Sequence, residues 1–246
     1  MEIKVLASGS TGNCYFVSDG KSSLLLDAGI PVKRIRQGCD FRLSQTSGCL
    51  VTHCHGDHSK AVKDLLSSGV PVYMPKGEIE AMSLPVHHRL HPLAVRSISG
   101  DPRTISYEAF ECGSFVVRPF QTFHDTPEPV GYLTASANTN ETLLYFTDTY
   151  YIHDRFRSLD YIIGECNYDS ETLREKLESG ETPAVRAKRL FSSHMNLKNF
   201  LEFLQSIENP ETLRKIYICH MSDAHGNEAK IREAVQRLTG AEVYVC

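Results

Sequence analysis

The sequence predicts an α/β protein, and three observations carry that prediction. Strand-like and helix-like stretches interleave along its whole length. The apolar run Cys49-Leu50-Val51 leads into His53-x-His55-x-Asp57-His58 and then into a helical stripe at Ala61, Val62, Leu65 and Leu66. Residues of metal-ligand type recur just beyond predicted strands, where open and layered sheets place their sites because loops vary while the sheet stays rigid.

The chain has 246 residues, 41% apolar and 23% charged, with a net charge of −4. That length suits a single domain, 1–246, with a substantial core. The acidity argues against a protein that binds nucleic acid over its whole surface, while leaving room for a local basic groove. No apolar run approaches membrane-spanning length, and the N-terminus lacks a signal-peptide core. Eight scattered cysteines without a CxxC pair predict reduced thiols and a cytoplasmic protein. Cys54 and Cys219 read as small buried apolar side chains.

Residues 3–7 are a predicted strand. Ser8-Gly9-Ser10-Thr11-Gly12-Asn13 is a loop of small residues that reads either as backbone amides offered to an anion or as a plain turn. Strands at 14–17 and 23–26 flank Asp19-Gly20, a hairpin signal. Asp27 at the end of the second reads either as a cap of the next turn or as a carboxylate that orients a ligand histidine. Lys33, Arg34 and Arg36 read as a solvated helix face.

Gly69 ends the helix after the histidine loop, a strand spans 70–74, and a helix runs to about residue 84. His87, His88 and His91 lie in a Pro-flanked, loop-like segment without an acidic partner, and read as surface or substrate-loop histidines. Strands follow at 104–111, 114–121, 131–135, 142–147 and 160–164. Ser170 reads as the N-cap of a helix over 171–179. Thr182-Pro183 opens a basic helix with Arg186, Lys188 and Arg189, and Asn196 caps a helix with its stripe at Leu197, Phe200, Leu201 and Leu204. A strand over 215–219 ends in His220, and a last helix and strand close the chain.

Asp27, His53, His124, Asp148, Glu165 and His220 thus each follow a predicted strand. Imidazoles one residue apart cannot share a helix face, but on a loop they can converge on one ion. Histidine with carboxylate suits Zn, Mn or Fe(II) better than Ca or Mg.

Asp27, His53-x-His55-x-Asp57-His58, a lone His124, Asp148 and His220 resemble, in order, the five motifs of the metallo-β-lactamase superfamily. In detail the chain looks like the YycJ/WalJ-type branch. The stretches that carry this are Ala7-Ser8-Gly9-Ser10-Thr11-Gly12-Asn13, His124-Asp125 with Pro129-Val130-Gly131-Tyr132, Thr147-Asp148-Thr149, Glu165-Cys166-Asn167-Tyr168-Asp169, His194-Met195-Asn196, and His220-Met221-Ser222 with His225-Gly226-Asn227. The resemblance implies a four-layer αββα sandwich of two mixed sheets. It also implies two divalent ions, Zn or Mn, with Fe as a further option. His53, His55 and His124 would bind one, Asp57, His58 and His220 the other, and Asp148 would bridge them. Asp27 would lie behind the ligands.

The function expected is metal-dependent hydrolysis of a phosphodiester in nucleic acid, with a small phosphodiester as the other substrate class. Asp57 would help orient the nucleophile. His194 would be the general acid and Glu165 would fix its tautomer, an arrangement that resembles the tRNA 3′-processing nucleases of the superfamily. Arg186, Lys188 and the cluster from Lys33 to Arg36 are candidate phosphate contacts. His194 also reads as a structural residue before a capped helix. Two alternatives stand beside this reading: a glyoxalase II-like thioesterase or small-ester hydrolase on the same metals, and a non-catalytic metal-binding sensor. An alkoxide leaving group needs a proton more than a thiolate does, so the His194–Glu165 pair favours the phosphodiester.

Overall fold

In the computed structural model, which describes residues 1–100 and 104–246, two mixed sheets are flanked by helices. The chain divides into two compact units, Met1–Gln121 with Thr126–Glu141, and Thr122–Asp125 with Thr142–Cys246.

The first unit opens with β1 (Glu2–Ala7), β2 (Cys14–Ser18) and β3 (Ser23–Leu26), followed by α1 (Val32–Gly38), β4 (Gly48–Leu50), α2 (Gly56–Ser59), α3 (Val62–Ser67), β5 (Val72–Met74), α4 (Lys76–Ala81) and β6 (Leu90–Pro92). These strands form a sheet in chain order, antiparallel from β1 to β3 and parallel from β3 to β6. The switch follows from the connections. Asp19-Gly20 makes a tight β2–β3 turn in which Asp19 Oδ1 accepts the Lys21 and Ser22 amides at 2.9 and 2.8 Å. Each later strand is reached through a helix, as a parallel pairing requires. The central strands read as uninterrupted apolar runs because both faces are covered. Leu25, Cys49 and Val72 pack with Ile35 of α1 and with Val62, Leu65 and Leu66 of α3.

An antiparallel set completes this unit: β7 (Val95–Ser99), β8 (Thr104–Tyr107), β9 (Phe110–Cys112), β10 (Phe115–Gln121) and β11 (Val130–Ser136). Residues 104–111, read as one strand, are two. β8 pairs with the end of β10 at Phe120 and β9 with its beginning at Phe115, so the chain must break between them. The segment at 87–92, read as a loop, contributes β6, and His91 stacks on Tyr73 of β5 at 4.8 Å. Pro92 is accommodated because β6 is the edge of its sheet.

The second unit holds β12 (Thr142–Phe146), β13 (Tyr161–Glu165), α5 (Ser170–Glu178), α6 (Ala184–Ser193), α7 (Leu197–Gln205), β14 (Lys215–Cys219), α8 (Glu228–Thr239) and β15 (Glu242–Val245). Its strands are parallel, in the order β15-β14-β13-β12. Gly164 of β13 lets Phe146 approach, since a Cβ there would meet the Phe146 ring at 2.5 Å. Asn196 and Asn227 cap α7 and α8 through their side chains. The cap of α5 is Asp169 rather than Ser170: its carboxylate accepts the Thr172 amide, so the helix begins one residue earlier than the sequence suggests.

Among the described residues no helix is long and apolar enough to cross a membrane. No cysteine forms a disulfide among the described residues. Burial pushes the thiols of Cys14, Cys49 and Cys166 well above their ordinary pKa.

Candidate metal centre

In the first unit the histidine loop lies between β4 and α2. Asp57 and His58 fall within α2, one turn earlier than the helix start read from the sequence, and His55 is its N-cap. The loop is fixed from behind by Asp27. Asp27 Oδ1 accepts the Thr52 amide at 2.8 Å, and its Oδ2 lies 2.6 Å from His58 Nδ1. Thr52 Oγ1 contacts both Asp27 oxygens, at 3.1 and 3.0 Å, and sits 3.0 Å from His53 Nδ1. One buried carboxylate therefore holds both ends of the loop, and through Thr52 it sets the ring of His53. The rings of His53 and His58 are 4.3 Å apart and those of His53 and His55 4.8 Å apart.

The loop at 8–13 supports this arrangement. Asn13 donates its backbone amide to the Asp57 carbonyl at 2.7 Å, and its Nδ2 stands 3.1 Å from His58 Nε2. The Gly9 amide goes to Asn13 Oδ1 and the Gly12 amide to the Gly9 carbonyl, so these amides are engaged inside the protein. Gly29 is required by close approach: a Cβ would lie 1.6 Å from the Asp57 carbonyl oxygen.

Glu78 is a residue that sequence reasoning missed. It is fully buried in α4. Its Oε2 accepts the Cys54 amide at 2.9 Å, in the middle of the histidine loop, and its Oε1 accepts the Glu128 amide at 2.6 Å. Nothing in the local sequence distinguishes it from a solvated helix glutamate.

In the second unit Asp148 stands among three histidines. Its Oδ1 lies 3.1 Å from His220 Nδ1 and 3.6 Å from His194 Nδ1, and its Oδ2 lies 3.7 Å from His124 Nε2. His124 donates from Nδ1 to the Ser193 carbonyl at 3.1 Å, which directs Nε2 toward Asp148. Asp148, Glu165, His194 and His220 offer ligand atoms that all lie within 4.8 Å of one another. The rings of His194 and His220 stack at 5.4 Å with an interplanar angle of 11°. Asn167 supports His220, donating to its carbonyl at 2.7 Å with the same Nδ2 3.2 Å from its Nδ1.

Glu165 is the last residue of β13 rather than one beyond it. Its Oε1 lies 2.6 Å from His194 Nδ1 and 3.3 Å from His220 Nδ1, and its Oε2 accepts the Thr149 and Met195 amides at 2.9 and 3.3 Å. Burial alone would raise the Glu165 pKa, but His194 and the hydrogen bonds hold it below the ordinary glutamate value. Burial alone would lower that of His194, but Glu165 and then Asp148 hold it above the ordinary histidine value. The imidazole is thus inclined to carry a proton.

Three of these residues have left-handed backbone: Asp27, Asp148 and His220, with φ of 57°, 47° and 50°. Each follows a strand and turns its side chain out of the strand direction. Non-glycine residues in this region cluster at functional sites because the surrounding structure must hold them there. Asp and His tolerate this conformation better than most residues, but nothing else in the sequence marks these positions for it.

The exposed cations divide in two. Arg34 and Arg36 of α1 bind the Leu6 carbonyl and Ser68 Oγ, at 3.2 and 3.0 Å. In α6, Arg186, Lys188 and Arg189 are exposed, and Arg189 reaches Asp125 at 3.4 Å.

Residues 7–139 match the family model described as the metallo-beta-lactamase superfamily. The exodeoxyribonuclease YycJ of Bacillus anthracis is 30% identical over 237 residues, covering 90% of this chain and 83% of that protein. The exodeoxyribonuclease WalJ of Streptococcus pneumoniae is 27% identical over 228 residues, covering 89% of this chain and 80% of that protein. Among solved structures, the metallo-beta-lactamase fold protein YhfI from Bacillus subtilis superposes with a TM-score of 0.71 at 16% identity, covering 99% of this chain and 95% of that one.

Proposed function

Because this chain belongs to the metallo-beta-lactamase superfamily and is a hydrolase of that fold, we propose that it is a metal-dependent phosphodiesterase that degrades DNA from an end, with 1–246 as its catalytic domain. In this reading His53, His55 and His124 would hold one divalent ion, Asp57, His58 and His220 would hold a second, and Asp148 would serve both. The donor set supports it: imidazoles and carboxylates suit Zn or Mn, and the histidines are oriented through their other ring atoms by Thr52, Asp27 and the Ser193 carbonyl. When bound, such a pair of ions supplies Lewis-acid polarisation of the phosphate and a water nucleophile at neutral pH.

The observation that carries the phosphodiesterase reading is the 2.6 Å pair of His194 and Glu165 beside Asp148. Glu165 fixes Nδ1 of the ring, so Nε2 is the atom that delivers the proton to a departing alkoxide. Asp57, at the start of α2, orients the attacking water. The relatives that bear the name exodeoxyribonuclease support DNA as the substrate. Eight scattered cysteines with no disulfide among the described residues support a reducing compartment, the cytoplasm.

The test is a substrate panel. Purified protein with Mn or Zn is given bis-p-nitrophenyl phosphate, labelled DNA and RNA, and S-lactoylglutathione. The expected result is metal-dependent shortening of DNA, abolished by chelation and restored by added Mn or Zn. Cleavage of the thioester alone would assign a glyoxalase II-like enzyme. Retained metal with no turnover of any substrate would assign a sensor.

A further inference from the structure

Phe123, one residue before His124, packs against Tyr150 and Tyr151, which follow Asp148. The ring centroids are 5.8 and 6.3 Å apart and the rings are tilted by 45° and 39°. Tyr150 and Tyr151 are 39% and 48% exposed. The loop that carries them is held firmly. The Phe123 amide donates to Thr149 Oγ1 at 3.0 Å, that hydroxyl donates to the Tyr151 carbonyl at 2.7 Å, and Asn199 Nδ2 donates to the Tyr150 carbonyl at 3.1 Å. The Thr149 amide donates to Glu165 Oε2. The carboxylate that holds His194 therefore also anchors the aromatic loop.

The segment Phe123-His124-Asp125 has a second end of opposite character. Asp125 contacts Arg189, an exposed residue of α6, a helix that also carries the exposed Arg186 and Lys188. Aromatic rings, the imidazole of His124 and the Arg189 guanidinium thus follow one another along three residues, with the Asp125 carboxylate 3.0 Å from His124 Nε2 and 3.4 Å from Arg189 as the group a phosphate would displace from the cation. The cations are local, in a protein with a net charge of −4. A strand of nucleic acid offers the complementary sequence of flat base faces and phosphates. Aromatic platforms joined to a basic track are how proteins hold single strands without regard to sequence, because every base has a π-face.

We propose that Tyr150 and Tyr151, backed by Phe123, form the platform on which an unpaired nucleobase stacks, while the phosphates of the same strand run past His124 toward Arg189 and the other cations of α6. The proposal rests on the nuclease reading and adds to it that the enzyme takes a single-stranded end. Inside a duplex a paired base has both faces covered by its neighbours and at a blunt end only the outer face is open, so an unpaired terminal base suits this platform better than a paired one.

The test uses a labelled single-stranded DNA oligonucleotide with Mn or Zn, the wild-type enzyme, and the paired variants Tyr150→Leu/Tyr151→Leu and Tyr150→Phe/Tyr151→Phe. Stacking is sequence-tolerant and lost without a ring, so the leucine pair should raise KM roughly 10-fold or more while the phenylalanine pair keeps the wild-type KM. An oligonucleotide with abasic sites at its terminal positions should raise the wild-type KM by a similar factor and leave that of the leucine pair unchanged. Phe41→Leu, a change at an exposed ring elsewhere (78% exposed), should alter nothing. If the wild type degrades the oligonucleotide but the leucine pair and the abasic substrate behave as wild type and intact strand, the platform is refuted and the nuclease reading stands. If the wild type cleaves no nucleic acid, the nuclease reading itself falls. Should the leucine pair lose its fold by circular dichroism, the abasic comparison on the wild type decides alone.

Discussion

His194 Nδ1 lies 2.6 Å from Oε1 of Glu165, a carboxylate with no solvent exposure whose other oxygen takes two backbone amides. A carboxylate so tied cannot follow the ring, so the ring takes its orientation from the sheet. His194→Ala is expected to keep its metal content, read by elemental analysis, while kcat on DNA falls roughly 10²- to 10⁴-fold, the range for loss of a general acid. Loss of metal instead would move the ligand role from His220 to His194.

Asp27 acts behind the histidine loop. It holds His58 Nδ1 at 2.6 Å and Thr52 at both its amide and its hydroxyl. Asp27→Asn should lower metal affinity roughly 10- to 100-fold, as for other groups that orient ligating histidines. Competition with a chromophoric chelator measures this directly, and an unchanged affinity would remove Asp27 from the metal centre.

Glu78 makes a different prediction, because it binds backbone rather than a ligand. Glu78→Ala leaves the Cys54 and Glu128 amides without their buried acceptor. At about 1–3 kcal/mol for each of the two groups, thermal unfolding should show a loss of about 2–6 kcal/mol. Glu78→Gln keeps one carbonyl acceptor and should recover part of it. If both variants unfold as the wild type does, Glu78 does not brace the loop.

Acid sensitivity should report on Asp19. Burial raises its pKa, but hydroxyls of Ser114 and Ser136, both at 2.6 Å, and the Ser22 and Lys21 amides outweigh it and lower the pKa to about 2. The folded pKa is below the unfolded one, near 3.9, so the unfolded state binds more protons between them. The stabilisation, about 1–2 kcal/mol, is therefore present above pH ~4 and lost as pH falls through about 2. Asp19→Asn should flatten the dependence of urea-unfolding stability on pH in that window. An unaltered slope would show that the carboxylate is not held in this way.

Periodicity and turn chemistry placed most strands and helices, because hairpins such as Asp19-Gly20 and caps such as Asn196 act within a few residues. It failed where partners are distant. The split of 104–111 depends on which end of β10 each half meets. The edge strand at 90–92 depends on β5. The cap at Asp169 is a local miss instead, since Asp169 and Ser170 are both capping residue types one position apart. Among site residues, the histidine loop announced itself by four ligand-type side chains in six residues. Glu78 and Thr52 did not, since a buried carboxylate in α4 and a threonine before His53 look ordinary until their hydrogen bonds are known. Asn13 and Asn167 stood in recognisable stretches, but their contacts with His58 and His220 were not legible there.

Donor chemistry is legible in the residues alone: imidazoles and carboxylates at the ends of apolar strands, in an order that identifies the superfamily. Donor type is a property of the side chain and needs no fold to be read. The tertiary structure alone decided orientation. Asp27 sets His58, Glu165 sets His194, and the left-handed backbone of Asp27, Asp148 and His220 turns those side chains out of their strands. Orientation comes from hydrogen bonds between residues tens of positions apart and from a backbone conformation that Asp and His tolerate better than most residues but that stays uncommon outside glycine, so packing has to impose it.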